Sequence, residues 1–379
     1  VKRVAVSPRP GFQSIVQSQG LYWDETDSGP YWNESAAYEL TAAEVDRLEA
    51  ASNELHAMCL KAAEYVIRNQ AYDQFGINAL GHQLIRRSWD ADPPSVYGRF
   101  DLAMRDDEIK LLEYNADTPT CLLEAAVIQW QWVQDTRPEM DQFNSIHERL
   151  VSKWQEMKPF LQGDFVHLTS LNNIEDSFTI AYMEDVLRQA GFQTRALPVD
   201  RLGLDTRTSH FGDEENREIL NLFKLYPWEW MIRETGAVGL LDARVLWIEP
   251  AWKMLLSSKA ILKVLWDLYP GHRYLLRTTY TEPMGDWVRK PKLGREGKGV
   301  TIVRGGAGYA ADPSHYDSSE VVFQEYFDHP EFDGRRPVIG SWIIGHEEGN
   351  CSAGIGIRET RGLVTNNASQ FAPHYFIPK

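Results

Sequence analysis

Apolar and polar positions alternate with a period of two from Tyr97 to Met104, and less strictly from Glu108 to Asn115. In a strand, residues two apart share a face. Phe100, Leu102 and Met104 therefore fall on one side of the first segment, and Arg99 and Asp101 on the other. The polar turn Arg105-Asp106-Asp107 joins it to a second strand that carries Glu113 and Asn115 on one face. Elsewhere the period lengthens. Thr41-Ala-Ala-Glu44 is a capping box, and Val45, Leu48, Leu55, Met58, Ala62 and Val66 come next at helical spacing, predicting a long amphipathic helix to about Asn69. His56 on that helix reads as a packed or surface histidine, not a ligand. Buried helices are expected over Leu122 to Gln134 and over Phe143 to Lys158, the second ended by Pro159.

A strand, Asp164 to Ser170, a helix, Glu175 to Ala190 closed by Gly191, and a strand, Phe192 to Leu197, form a unit typical of α/β layering. Val245 to Glu249 reads as a strand stopped by Pro250. Ser258 caps a helix from Lys259 to Tyr269. Strands at Trp287 to Pro291 and Val300 to Val303 flank the glycine-rich stretch from Lys292 to Gly299. Further strands are expected at Val321 to Tyr326, Val338 to Ile344 and Ala353 to Arg358. Residues 1 to 40 read as loop-rich, with the aromatic pairs after Gly20 and Gly29 draped over a core. Residues 200 to 216 read as an exposed loop, and Leu222 to Arg233 has no readable period.

With 379 residues, 43% hydrophobic and 13 tryptophans, the chain has material for a large core. It reads as a single unit with approximate parts 1–95, 96–245 and 246–379. A net charge of −15 argues against nucleic acid or an anionic membrane as the main partner, and is compatible with a cationic substrate. Three separated cysteines, Cys59, Cys121 and Cys351, predict neither a disulfide framework nor a zinc site. That usage, with no apolar run near the ~20 residues of a membrane span and no leader-like opening, places the protein in the cytoplasm as an expectation.

The candidate chemistry begins at the hairpin. One of its two registers sets Asp101 opposite Glu113 and Arg99 opposite Asn115. Two carboxylates so close repel unless a cation lies between them, and a hard divalent ion with oxygen ligands, Mg²⁺, would answer this. The plainer reading is a solvated charged face on an ordinary hairpin. The next residues weigh against it: Asn115-Ala-Asp-Thr-Pro-Thr120 is a polar turn at the end of a rigid element, where ligands are commonly held. Gly294-Arg-Glu-Gly-Lys-Gly299 between two strands reads as a hairpin flap whose backbone could approach an anion, though it is no Walker loop and such a stretch on its own is more often a plain mobile turn. Lys259, Lys290, Gln324-Glu325 and Arg358 stand at element ends. Glu175 and Asp176 open a helix, where the macrodipole alone would also place acidic residues. Together these residues are what ATP-dependent ligation needs: cations for phosphates, a flap to cover them, and acidic groups for Mg²⁺.

Arg99-Phe-Asp101, the EYNADTPT run from Glu113, Trp252 to Ala260 (WKMLLSSKA), Val288-Arg-Lys-Pro291 with Arg295-Glu-Gly297, and Gly340-Ser-Trp with Gly354-Ile-Gly-Ile-Arg358 resemble the synthetase domain of the glutathionylspermidine synthase family, and in particular its stand-alone bacterial acid–amine ligase relatives. The resemblance covers nearly the whole chain and is loosest over 190–247. It implies an α/β (α+β) ATP-grasp-like fold with a pre-ATP-grasp portion, and the cofactors ATP and Mg²⁺. By motif, Arg99 would stabilise the transferring phosphoryl group, and Asp101, Glu113 and Asn115 would bind Mg²⁺. Arg99, Phe100, Asp101, Lys259, Lys290, Gly297, Gln324, Glu325 and Arg358 would hold ATP. Thr120, Glu175, Asp176 and Thr235 would contact substrates, and Cys121 would be a wall residue rather than a nucleophile. Bifunctional members carry an amidase domain ahead of the synthetase, whereas the synthetase resemblance fills the 379 residues here.

The function expected is an ATP- and Mg²⁺-dependent ligase joining a glutathione-like carboxylate to a polyamine-like amine through an acyl phosphate. The rival from another class is a nucleotide-binding regulatory protein that has lost turnover. A third reading takes the carboxylate pair as a hydrolase acid and base, which would leave the lysines and the flap without a purpose.

Overall fold

The hairpin expected from the alternation is present in the computed structural model, which describes residues 1–379 except 23–24, 27–28, 206, 311–319, 346, 348, 366–368 and 379. Strands Tyr97–Arg105 and Glu108–Asn115 pair antiparallel, with Arg99 opposite Asn115 and Asp101 opposite Glu113, the register that gathers the charged groups. A bulge after Asp101 brings Leu102 opposite Leu111. Asp106 makes the turn at φ 53°, in the left-handed region that aspartate tolerates better than most residues.

The hairpin supplies only two strands of a five-stranded antiparallel sheet. The other three come from late in the chain: Arg336–Ile344 pairs with Tyr97–Arg105, Ser352–Thr360 lies beyond it, and Gln370–Ala372 forms the far edge. This overturns the reading of a solvated face. The first hairpin strand is buried on both sides, with Arg99 and Asp101 only 6% and 5% exposed. Its apolar face, Phe100, Leu102 and Met104, packs into a core shared with the long helix Ala42–Arg68. The capping box there forms as expected: Glu44 N–H donates to Thr41 Oγ1 at 3.2 Å, and Thr41 N–H to Glu44 Oε2 at 2.8 Å. His56 is fully buried on this helix, against the Tyr114 hydroxyl at 3.3 Å. Fully buried Leu48 and Leu55 each contribute about 1.5–3 kcal/mol of hydrophobic stabilisation.

The strand–helix–strand unit is part of a four-stranded parallel sheet ordered Leu246–Ile248, Asn221–Leu225, Phe165–Ser170, Gln193–Pro198. Helix Ile174–Gln189 makes the crossover between the last two. A second five-stranded antiparallel sheet holds Trp287–Pro291 between Val321–Glu325 and Thr301–Arg304. The glycine-rich stretch joins two of its neighbouring strands as a hairpin connection.

Several local expectations change. Residues 1 to 40 contain strand Lys2–Ala5, helix Phe12–Ser18 and strand Ala36–Thr41, and the first and last of these join His374–Ile377 in a three-stranded sheet. Ala36, Ala37 and Tyr38 are buried consecutively, so no alternation marks that strand. Tyr31 and Trp32 of the second aromatic pair are buried, while Trp23 of the first lies outside the described residues. The stretch read as an exposed loop contains a small hairpin, Gly203–Asp205 with His210–Gly212. The stretch without a period is strand Asn221–Leu225 and then the helical turn Trp228–Met231. Helix Ala79–Ala91, capped by Asn78, had no place in the sequence reading. The helix expected from Lys259 begins at Ile261, because Ser258 Oγ accepts from Ala260 N–H and holds a turn first. All three cysteines are free and buried, and among the described residues no helix is long and apolar enough to cross a membrane.

Candidate active site

Arg99, Asp101 and Arg358 form one charged cluster on the central sheet. Arg99 Nε donates to Asp101 Oδ1 at 2.8 Å, and Arg358 Nη2 donates to Asp101 Oδ2 at 2.6 Å. Arg358 sits two strands away from Asp101, with Gly340 of the intervening strand directly opposite Asp101. A Cβ at Gly340 would meet Arg99 Cδ at 3.0 Å. Glycine there leaves room for the Arg99 stem to lie across the sheet. Arg99 is pinned further by Nη1 donation to the Thr120 carbonyl at 2.6 Å. Burial works against the Arg358 charge, but Asp101 and the acidic groups around it outweigh burial and keep it a firm cation.

The second carboxylate has its own cations. Lys259 Nζ lies 3.1 Å from Glu113 Oε2 and also donates to the Gly294 carbonyl at 2.7 Å. Burial alone would raise the Glu113 carboxyl, but the charges of Lys259 and Lys290 prevail and hold it down at about 2. Lys290 is pushed down to about 8, chiefly by burial, with Glu113 opposing. Its Nζ donates to Gln324 Oε1 at 2.6 Å and to the Leu112 carbonyl at 2.9 Å, and Gln324 Nε2 donates in turn to the Leu111 carbonyl at 3.0 Å. The Gln324 side chain is thus committed to orienting Lys290. Asn115 Nδ2 donates to Glu113 Oε1 at 3.2 Å. Among the described residues no three His, Cys, Asp or Glu side chains gather as a self-sufficient metal site.

These groups line a cleft of about 490 Å³ between the two five-stranded sheets, a volume typical of small-molecule sites. The glycine-rich connection closes over it. Arg295 Nη1 donates to Thr118 Oγ1 at 2.7 Å and its Nη2 pairs with Glu229 Oε1 at 2.9 Å. Gly297 has φ +70°, and a Cβ on it would come within 2.7 Å of Val364 and 2.8 Å of the Thr365 carbonyl. The loop after the hairpin is held from beneath by a fully buried pair: Lys224 Nζ donates to Asp117 at 2.5 Å, and Asp117 also accepts from Trp228 N–H at 2.9 Å. A second buried pair anchors the start of the hairpin. Glu249 accepts from the Val96 and Tyr97 N–H groups at 2.9 and 3.1 Å and pairs with Lys253 at 2.7 Å.

The sequence candidates divide accordingly. Arg99, Asp101, Glu113, Asn115, Thr120, Glu175, Asp176, Lys259, Lys290, Gly297, Gln324, Glu325 and Arg358 all line the cleft. Phe100 does not: its side chain is fully buried and stacked on Tyr114 at 4.0 Å, because a strand sends alternate residues to opposite faces. Thr235 lies on an exposed turn and is not among the lining residues. Burial raises the Glu175 carboxyl, and burial with the Glu175 charge raises Asp176 to about 6. Cys121 borders the cleft with its thiol pushed up to about 11 by burial and Glu124, so it carries little thiolate at neutral pH and acts as a wall. Asp117, Thr118, Glu229 and Glu249 were not singled out from sequence, and Gly340 only as the first residue of a motif, without a role. Asp117 and Thr118 sit inside the EYNADTPT run, and that is the signal that could have found them.

A family model described as glutathionylspermidine synthase pre-ATP-grasp matches residues 3–377. The chain belongs to that family. Among this family's proteins, one of Haemophilus influenzae assigned as an acid–amine ligase is 42% identical, with all of both chains covered. The Escherichia coli bifunctional glutathionylspermidine synthetase/amidase is 29% identical over 90% of this chain and 59% of its own length. Trypanothione synthetase of Crithidia fasciculata is 25% identical over 86% of this chain and 54% of its own. The chain thus spans somewhat over half of these two longer relatives. In fold, it is similar to a glutathione synthetase-like effector of Globodera pallida, with TM-score 0.57, 11% identity and 89% of each chain covered. The architecture is accordingly the α/β, ATP-grasp-type arrangement that the glutathionylspermidine synthase resemblance implied.

Proposed function

We propose that this protein is an ATP-dependent C–N ligase that activates a carboxylate as an acyl phosphate and passes the acyl group to an amine. The observation that carries the reading is the single cleft in which a phosphate-binding set of cations, Arg99, Arg358, Lys259 and Lys290, meets the cross-strand carboxylates Asp101 and Glu113. Membership in a family of ligases supports the class of reaction.

In the first step a substrate carboxylate oxygen attacks the γ-phosphorus of ATP, the bond to the β–γ bridging oxygen breaks, and ADP leaves. In the second, the amine nitrogen attacks the acyl carbon, phosphate leaves, and the amine loses a proton. Arg99 and Arg358 reach the same point from two strands and would stabilise charge on the transferring group. Lys259 and Lys290 would neutralise the polyphosphate, with the glycine hairpin lying over it and excluding water. Glu175 and Asp176 would attract an ammonium and accept its proton, a role their raised carboxyl pKa values favour.

Asp101, Glu113 and Asn115 are hard oxygen donors without sulfur or imidazole, which fits Mg²⁺ held by one or two carboxylates plus substrate phosphates. When bound, Mg²⁺ would supply further charge stabilisation at the phosphates. A glutathione-like peptide and a polyamine-like amine are the proposed substrate pair. The E. coli relative is named for making glutathionylspermidine, and the acidic mouth of the cleft, Glu175 and Asp176, suits a cationic amine.

The test is ADP release and amide formation, monitored by mass spectrometry, on mixing the protein with ATP, Mg²⁺ and panels of peptide carboxylates and amines. Amide appearing in step with ADP is expected. Tight ATP binding with no turnover on any panel would favour the nucleotide-binding regulator instead.

A further inference from the structure

A second cavity, of about 470 Å³, opens outside the catalytic cleft. Three helical segments and the Gln19-Gly20 turn build its walls. Leu123 and Trp130 come from the run through Glu124–Ile128 and Gln129–Thr136 and the residue just before it. Phe178, Tyr182 and Asp185 come from helix Ile174–Gln189, and Glu148 faces them from Ile146–Met157. Phe178, Tyr182 and Asp185 are spaced by four and three residues, so they lie in one stripe along the helix. The Tyr182 hydroxyl is held by His147 Nδ1 at 2.9 Å, which fixes its ring in place.

The chemistry of this lining is selective. It offers three aromatic rings and two exposed carboxylates, and among its described residues there is no lysine or arginine. Trp130 is 39% exposed, unusual for so large a ring with a packed face so near. Aromatic faces attract cations within about 6 Å of the ring centre, and carboxylates at the rim add a Coulomb attraction for the same sign of charge. Leu123 and the ring edges give an apolar bed for a hydrocarbon stem. An anion would meet Glu148 and Asp185 with no lysine or arginine to offset them and with both His147 ring nitrogens already engaged by Tyr182 and Gln189, and a purely apolar ligand would strand both carboxylates against it.

We propose that this groove is a binding site for an organic cation, one or two ammonium groups on a short hydrocarbon stem. Its position gives it a route to the catalytic cleft. Glu175 of the cleft lies one helical turn before Phe178, and Cys121 of the cleft lies two residues before Leu123. An occupant that shifts either helical segment therefore shifts residues bordering the acyl and amine positions. The claim concerns binding and stands apart from the proposed ligase reaction.

The experiment is calorimetric titration of the full chain, without ATP, with hexamethylenediamine, using hexamethylene glycol as the uncharged counterpart. A background variant, Glu175→Gln with Asp176→Asn, removes the acidic mouth of the catalytic cleft. Binding that persists in this background is expected to weaken about tenfold with Trp130→Ala, the scale of losing a cation–π contact and its packing. It should weaken about fivefold with Asp185→Asn. The glycol should give no saturable heat. Both positions are solvent-facing, so matching thermal melts are expected to show the variants folded. Equal affinity in the background and both groove variants would overturn the proposal. So would an absence of saturable diamine binding in the background at millimolar probe, or glycol binding as tight as the diamine.

Discussion

Asp101 stands directly opposite Glu113 across the hairpin, yet the two are neutralised from different directions. Asp101 is gripped by Arg99 and Arg358 on its own sheet, and Glu113 by Lys259 from beside the second sheet. Both carboxylates stand on the first sheet, and its edge strand, carrying Glu113 and the Leu112 carbonyl that accepts from Lys290 Nζ at 2.9 Å, is the seam along which the second sheet meets it. Neutralising Asp101 removes the partner of two arginines, and neutralising Glu113 removes that of Lys259 at the seam.

Because Asp101 compensates two nearly buried arginines, amide isosteres separate chemistry from folding better than alanine does. Asp101→Asn and Glu113→Gln are each expected to lower ADP formation by roughly 100-fold or more, the scale of losing a charged group at a phosphoryl-transfer site. Thermal melting should show the folds intact. Full turnover in a well-folded Glu113→Gln protein would discard its proposed metal role.

Lys290, pushed down to about 8 by burial, should give the nucleotide step a pH dependence. Below pH 8 it is a cation facing the cleft, and above pH 8 it is neutral and no longer offsets phosphate charge. The value of kcat/KM for ATP, which reports free-enzyme groups, is expected to fall as pH rises through about 8. Lys290→Gln should be weak throughout and lack that limb. A profile flat to about pH 9.5 in the unmodified protein would contradict the assignment.

Gly297 combines a left-handed φ with a near contact to Val364 and Thr365. Gly297→Ala should cost about 1–2 kcal/mol locally in backbone strain and lift the hairpin off the 363–365 loop. Faster amide hydrogen exchange over 294–299 and a raised KM for ATP are the expected readouts. Unchanged exchange there would mean that the hairpin is not held by this contact.

Glu249 is fully buried and takes its bonds from Ser95, Val96, Tyr97 and Lys253. Glu249→Ala leaves Lys253 buried without its partner and should destabilise the fold by about 3–5 kcal/mol in denaturant unfolding. A loss under about 1 kcal/mol would show that the pair does not anchor the hairpin.

Local pattern was enough to name the hairpin, its register as one of two, the capped helix to Asn69 and the strand–helix–strand unit. Each depends on neighbours within a few residues, through side-chain periodicity, capping and turn sterics. The motif residues then marked Arg99, Asp101, Glu113, Lys259, Lys290 and Arg358 as one chemical set. What the amino-acid order could not supply was where the pieces meet. Arg358 reaches Asp101 from 257 residues away because strand Arg336–Ile344 brings their two strands to either side of itself, with Gly340 leaving room for the Arg99 stem. The strand at Ala36–Thr41 is buried on consecutive residues and so shows no period. Phe100 was separated from its motif neighbours by the pleat, and Thr235 by the course of a turn. Hydrophobic periodicity records which face of an element is covered. Only packing among distant elements decides what covers it, and with it which charges are paired.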